Sequence, residues 1–179
     1  GTSRAIQAGI DAAQRLVQEI SGLQRETVDI SEVVMAIKCG ASDTTSGMAS
    51  NCVIGYVADK LVDLGATVVF GETTEFLGGE HILAKRAVGG ENGPIGQKIY
   101  EIVDRMEKRA KSVGEDMRGG QPTPGNIAGG LSSIEEKSLG AIVKSGHRPI
   151  QGVLEYCDRV DGQKGLWIKD APGREPAVL

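Results

Sequence analysis

The sequence predicts an α/β domain with a mostly parallel sheet and flanking helices, and two patterns carry that prediction. The first is an ordered succession between residues 33 and 70: an apolar run, a polar loop, a helical stretch, Gly65 and a second apolar run. Two short apolar runs joined by a helix form a βαβ unit, whose crossover is right-handed in nearly all proteins. The second is glycine usage: 26 of the 179 residues are Gly, about twice the usual ~7%. These glycines fall between periodic segments without a triplet repeat, which excludes collagen and implies many tight turns. Aromatic residues make up only 3% of the chain, so Val, Ile, Leu and Ala must fill the core.

Along the chain, Ile6, Ile10, Ala13, Leu16 and Ile20 stand at helical spacing within residues 5–23. That predicts an amphipathic helix packed on the outside of the sheet. Residues 33–37 are continuously apolar and suit a strand buried on both faces. Residues 38–46 are small and polar, a loop. Met48, Val53, Ile54, Val57 and Leu61 restore the helical period over residues 47–64, and Gly65 supplies the stop. Residues 67–70 form the second buried strand.

Residues 80–87 read as a short helix. Residues 96–113 read as a longer one, with Ile99, Ile102, Val103, Met106, Ala110 and Val113 in one stripe. Its exposed side carries the i,i+4 pairs Glu101/Arg105, Asp104/Lys108 and Glu107/Lys111. Residues 119–130 hold five Gly and two Pro and read as irregular. A helix over residues 132–144 ends at Gly146, and Ser132 with Glu135 or Ser133 with Glu136 fits a capping box. Residues 149–155 and 165–169 are the final strands. No repeat or linker divides the chain, so residues 1–179 read as one domain.

Several function classes are excluded. A formal charge of −4 argues against nucleic-acid binding, which relies on clustered Lys and Arg. No apolar run approaches the ~18–20 residues of a membrane span, and the first residues lack a signal peptide's apolar segment. Cys39, Cys52 and Cys157 leave one cysteine unpaired in any disulfide scheme, which points to a reducing cytoplasm. No CxxC spacing supports an iron–sulfur cluster, and Cys52 and Cys157 are assigned to packing. Nucleotide binding and serine-hydrolase chemistry lack their motifs: there is no Walker A, GxGxxG, GxSxG or HExxH.

In an open parallel sheet, ligands sit beyond the carboxyl ends of the strands. The βαβ unit brings two loops there, residues 38–46 and 71–75. The first leads into a helix N-terminus, which favours an anion. Lys38 adds a full positive charge directly after a buried strand, where an ammonium needs a partner. A carboxylate or phosphate on a small molecule is the natural guest. Glu72 and Glu75 suit a hard divalent cation or proton transfer.

Plainer readings stand beside these. Asp43 or Ser46 also fits a helix N-cap, and the two glutamates fit a solvated loop. Cys39 fits a small buried filler as well as a nucleophile. His81, just after the second loop, either joins a metal site, acts as a base or lies on the surface. His147 caps carbonyls or faces water. The Asn126 amide can donate to and accept from a hydroxyl-rich ligand, and Gly129-Gly130 would let backbone approach that ligand closely.

Three ordered blocks together resemble one family. They are Lys38-Cys39-Gly40-Ala41-Ser42-Asp43 with Ser46-Gly47 and Asn51; Gly71-Glu72-Thr73-Thr74-Glu75; and Pro122-Thr123-Pro124-Gly125-Asn126 with Gly129-Gly130 and Glu135-Glu136-Lys137-Ser138-Leu139-Gly140. They are similar to the altronate/galactarate dehydratases, a family that includes the large subunit of sulfolactate sulfo-lyase. The resemblance runs from about Val33 to the end. Ala41 stands where a second Gly is usual, and Ser50-Asn51-Cys52 replaces Ala-Asn-Pro. Both departures bear on the particular substrate more than on the reaction class.

The resemblance implies a hydro-lyase acting on a sugar acid of the altronate or galactarate type. It removes the proton alpha to a carboxylate and expels the beta-hydroxyl, giving a 2-keto-3-deoxy acid, with a divalent metal, commonly Fe2+. Lys38, Glu72, Glu75 and His81 are the implied catalytic residues, and Glu72, Glu75 and His81 the candidate metal ligands. Cys39, Ser42, Asp43, Ser46, Asn126 and Lys137 are the implied substrate-binding set. The alternatives are a (2R)-3-sulfolactate sulfo-lyase and a non-catalytic carboxylate-binding domain. Family enzymes run longer, so the chain reads as a piece of the catalytic region of a larger polypeptide. Its expected partners are the remaining domains of that protein or a small partner subunit, with a homo-oligomer as a further option.

Overall fold

The structure, a computed structural model, describes residues 1–171. Four strands form one sheet: β1 (Val34–Ile37), β2 (Thr67–Phe70), β3 (Ile150–Leu154) and β4 (Gly165–Lys169). Their spatial order is β1-β2-β4-β3, and every pairing is parallel. Seven α-helices are described: α1 (Thr2–Ser21), α2 (Asn51–Asp63), α3 (Glu80–Arg86), α4 (Pro94–Ser112), α5 (Met117–Gly120), α6 (Pro124–Ala128) and α7 (Ile134–Ile142). The unit β1-α2-β2 is the expected βαβ. No helix among the described residues is long and apolar enough to cross a membrane.

The core lies where apolar runs meet on the sheet. All four residues of β2 are buried, and Phe70, Phe76, Leu83, Ile99, Ile102, Ile150, Leu166 and Ile168 form one cluster. Phe70 and Phe76 rings pack 5.0 Å apart and tilted. The α4 stripe reaches this cluster through Ile99, Ile102 and Val103. All three expected ion pairs form on its outer side, at 4.0, 2.6 and 3.1 Å.

Four expectations are corrected. β1 is an edge strand, and Val34 is 49% exposed, so it is not buried on both faces. Helix α1 forms as its periodicity requires, but none of its residues is buried; its apolar stripe does not pack on the sheet. The stretch 119–130 is not irregular throughout. It contains the end of α5 and all of α6, which opens with Thr123 as N-cap and Pro124 in its first turn. Cys52 and Cys157 are exposed rather than packed.

Two tethers position the rim where β1 and β2 end. The loop after β2 is tied to the end of β4. Thr73 N–H donates to the Ala171 carbonyl at 3.0 Å, the Thr73 hydroxyl donates to Asp170 Oδ1 at 2.7 Å, and it accepts from Ala171 N–H at 3.1 Å. Arg105 of α4 holds the other Asp170 oxygen. The second tether is the close approach of α2 to the 3-10 turn Val143–Ser145 after α7. A Cβ at Gly55 would collide with the Val143 carbonyl oxygen, so only glycine lets this turn sit against α2. Gly146 leaves the turn at φ +62°, and the Asp59 carboxylate accepts from the backbone N–H groups of His147 and Arg148 beyond it. His147 itself faces water, with its ring beside Asp59.

Candidate active site

Loops 38–46 and 71–75 meet at the rim, as the sheet topology requires. Cys39 N–H donates to Glu72 Oε2 at 2.7 Å, and Lys144 Nζ donates to the same oxygen at 2.7 Å. Glu72 and Lys144 are both buried, and Lys144 also stands 5.7 Å from the centre of the Phe70 ring. Glu75 Oε1 lies 3.2 Å from Lys137 Nζ. Lys137 donates further to Gln121 Oε1 at 2.7 Å and Asn126 Oδ1 at 3.1 Å. Two buried carboxylates therefore each have a buried ammonium partner, the condition under which such charges are tolerated.

The pairing is not complete. Burial, followed by the charge of Glu75, pushes the Glu72 carboxyl above the usual range, against the pull of Lys144 and of Cys39 N–H. Glu75 Oε2 is buried with no hydrogen-bond partner among the described residues. Burial also raises the Cys39 thiol, with Glu75 and Glu72 adding to it and the Ser42 contact opposing. Ser42 Oγ lies 2.8 Å from Cys39 Sγ. The sulfur and one oxygen from each glutamate all lie within 4.8 Å of one another. That donor set fits a divalent cation.

The rest of loop 38–46 builds scaffold. Ser46 N–H donates to Asp43 Oδ1 at 2.7 Å, and Asp43 N–H donates to Ser46 Oγ at 2.9 Å. This reciprocal cap starts the helical stretch that passes through one π turn, Ser46–Ser50, into α2. Asn126 donates to the Ser42 carbonyl at 2.8 Å and accepts from Thr123 and Lys137, so its amide braces loop and helix together. A Cβ on Gly129 would lie 2.8 Å from Asp43 Cβ. The glycine pair thus admits the neighbouring loop rather than a ligand.

A cavity of about 420 Å³ opens at this rim. Lys38, Cys39, Ser42, Asp43, Glu72, Glu75, Asn126 and Lys137 all line it. Ser46 instead lines an adjoining, more apolar cavity of about 240 Å³ beside Met48, Leu131 and Ala141. His81 is exposed on α3 and lines neither: the turn over residues 77–79 and the start of α3 separate it from the loop it follows in sequence. Lys144 and Gln121 escaped sequence reasoning. The only signal for Lys144 was a lysine directly after the apolar run Ala141-Ile142-Val143.

The family model "D-galactarate/Altronate dehydratase, C-terminal" matches residues 30–179. The chain belongs to this dehydratase family. It is 44% identical over 160 residues to the (2R)-sulfolactate sulfo-lyase subunit beta of Chromohalobacter salexigens, covering 89% of this chain and 40% of that protein. It is 38% identical over 166 residues to the galactarate dehydratase (L-threo-forming) of Escherichia coli, covering 93% and 31%. It is 34% identical over 174 residues to the altronate dehydratase of Bacillus subtilis, covering 95% and 33%. The chain thus spans about a third to two fifths of these relatives' length. Residues from each of the three sequence blocks line the 420 Å³ cavity.

Proposed function

We propose that the chain forms the catalytic cavity of a sugar-acid dehydratase of the altronate or galactarate type. The observation that carries this reading is the pair of buried carboxylate–ammonium contacts, Glu72 with Lys144 and Glu75 with Lys137, beside Lys38 in one cavity. An α-proton beside a carboxylate is very weakly acidic, so its removal needs fixed positive charge where the enediolate develops. Lys137 supplies that charge at the cavity wall, and Lys38, which lines the same cavity, adds to it once it holds the α-proton.

In the proposed reaction the α-carbon loses its proton and the electron pair closes a carbon–carbon double bond. The β-hydroxyl leaves as water, and the enol tautomerises to the 2-keto-3-deoxy acid. Lys38 takes the α-proton. Lys137, aligned by Glu75, Gln121 and Asn126, hands a proton to the departing hydroxyl. Glu72 and Glu75 would hold a divalent cation such as Fe2+, which would supply Lewis acidity to the elimination.

The 44% identity to a sulfo-lyase subunit favours one second reading, elimination of sulfite from (2R)-3-sulfolactate by the same proton abstraction. The discriminating assay presents aldonates, aldarates and (2R)-3-sulfolactate to the full-length protein with Fe2+ under reducing, anaerobic conditions. Keto-deoxy product supports the dehydratase and sulfite release the sulfo-lyase. Neither product from any acid overturns both. Lys38→Met separates an enzyme from a carboxylate-binding domain: the former loses turnover by orders of magnitude, the latter affinity alone.

A further inference from the structure

We infer that Cys39, Glu72 and Glu75 are the protein ligands of one divalent cation, with the Cys39 thiolate selecting Fe2+, Co2+ or Zn2+ over Mg2+ and Ca2+. The inference rests on the dehydratase reading for the presence of a cation, and on this chain's own residues for its seat.

The geometry comes first. The three donor atoms lie within 4.8 Å of one another. Metal–donor bonds of about 2.0–2.3 Å place two donors on one ion up to about twice that distance apart, so the cluster needs only a small contraction to close on an ion. Glu72 Oε2 already accepts from Cys39 N–H and Lys144, and Glu75 Oε1 faces Lys137. Each carboxylate is thus steadied through one oxygen, the arrangement by which outer partners orient metal ligands. Ser42 Oγ, 2.8 Å from the sulfur, does the same for Cys39.

The second observation is the orphaned atom. Glu75 is 7% exposed, and its Oε2 is buried without a hydrogen-bond partner among the described residues. A bare buried carboxylate oxygen loses its hydration without replacement, and a cation beside it removes that cost. Among the described residues no other group of three His, Cys, Asp or Glu donors converges in this way.

Selectivity follows from the partners. Both carboxylates already face ammonium groups, so a hard cation gains less Coulomb energy here than in an all-carboxylate cage. A thiolate bond is less dependent on bare charge and favours borderline metals. The mixed sulfur–oxygen set therefore suits Fe2+ and its neighbours.

Co2+ is the probe. Titrated anaerobically into metal-free full-length protein, it should raise a near-ultraviolet thiolate-to-cobalt charge-transfer band that saturates at one equivalent. The band should vanish in Cys39→Ser and persist in Cys52→Ser/Cys157→Ser. Glu75→Gln, checked for folding by circular dichroism, should weaken Co2+ binding at least ~10-fold, and excess Mg2+ should not displace the ion. No band in the wild type, or a band surviving in Cys39→Ser, overturns the assignment. Unchanged affinity in folded Glu75→Gln removes Glu75 from the set, and displacement by Mg2+ overturns the selectivity. Dehydration of a sugar acid without the band sinks the metal seat and leaves the dehydratase. The band without turnover of any sugar acid does the reverse.

Discussion

Lys144 Nζ lies 2.7 Å from Glu72 Oε2, and both side chains are buried. The contact joins the turn after α7 to the loop after β2 across 72 residues of sequence. Replacing Lys144 by Met strands the Glu72 carboxylate in a low-dielectric site, a loss of about 3–5 kcal/mol by the usual cost of breaking a buried pair. K144M should melt well below wild type. Combining it with E72Q should recover most of the loss, because no charge is then left unpaired. Strictly additive losses in the double variant would show that the two groups are not coupled.

Gly55 controls where that turn sits. An added Cβ meets the Val143 carbonyl oxygen and comes within 3.2 Å of Gly146 N. Both obstacles are backbone, which cannot rotate aside as a side chain would. Gly55→Ala should cost about 1–3 kcal/mol through overpacking and shift Lys144 away from Glu72. Thermal denaturation reads the first effect and turnover of the full-length protein the second. A variant with wild-type melting and wild-type turnover would remove Gly55 from the account.

The cysteines differ in reactivity for a physical reason. Burial holds the Cys39 thiol above its ordinary pKa, and the charges of Glu75 and Glu72 add to the effect, so the nucleophilic thiolate is scarce at neutral pH. Cys52 and Cys157 are exposed. In metal-free protein, iodoacetamide at neutral pH should label those two first, with Cys39 lagging and gaining speed as pH rises. Peptide mass spectrometry resolves the three sites. Equal rates at neutral pH would contradict the enclosed position of Cys39.

Strands β2 and β4 were legible because each is an apolar run bounded by glycine or polar residues, and the α4 pairs because i,i+4 neighbours need no tertiary information. The two rim loops were legible from topology alone. What failed was the identity of neighbours. Periodicity marks which face of α1 is apolar but not what covers it, and β1 reads as buried although it is the sheet edge. Gly and Pro content hid α6, whose Thr123–Asn126 box satisfies the first turn locally. Lys144 was missed because a long-range ion pair leaves no local pattern. His81 misled through sequence proximity to Glu75, and the Asn126 amide turned out to be spent on loop and helix rather than turned to a ligand.

Asp43 gives a pH-dependent signature. Its carboxyl is held below the usual range chiefly by the Ser46 backbone N–H, then by the Thr45 hydroxyl. A depressed folded-state pKa contributes stability above the unfolded value, and that stability is lost as pH falls through the folded one. Asp43→Ala should therefore melt below wild type at neutral pH. The gap should close on acidification, as wild type loses the same cap. A gap that stays constant through the acid range would mean the ionised carboxylate is not what caps the helix.

The clamp on Thr73 tests whether the rim must be rigid. Its hydroxyl donates to Asp170 Oδ1 and accepts from Ala171 N–H, while Arg105 holds the second Asp170 oxygen. Thr73→Val removes the hydroxyl at nearly constant volume and leaves both partners unsatisfied in a buried site, at about 1–3 kcal/mol for each. Glu72 and Glu75 flank this residue, so loosening it should misplace both. The expected outcome is a lower melting temperature together with a fall in kcat larger than any change in KM, because orientation matters most in the transition state. Thr73→Ser keeps the hydroxyl and should restore both properties. Loss of kcat in the serine variant as well would show that the hydroxyl alone does not hold the rim, and the hydrogen-bonded clamp would no longer explain how the two glutamates are held.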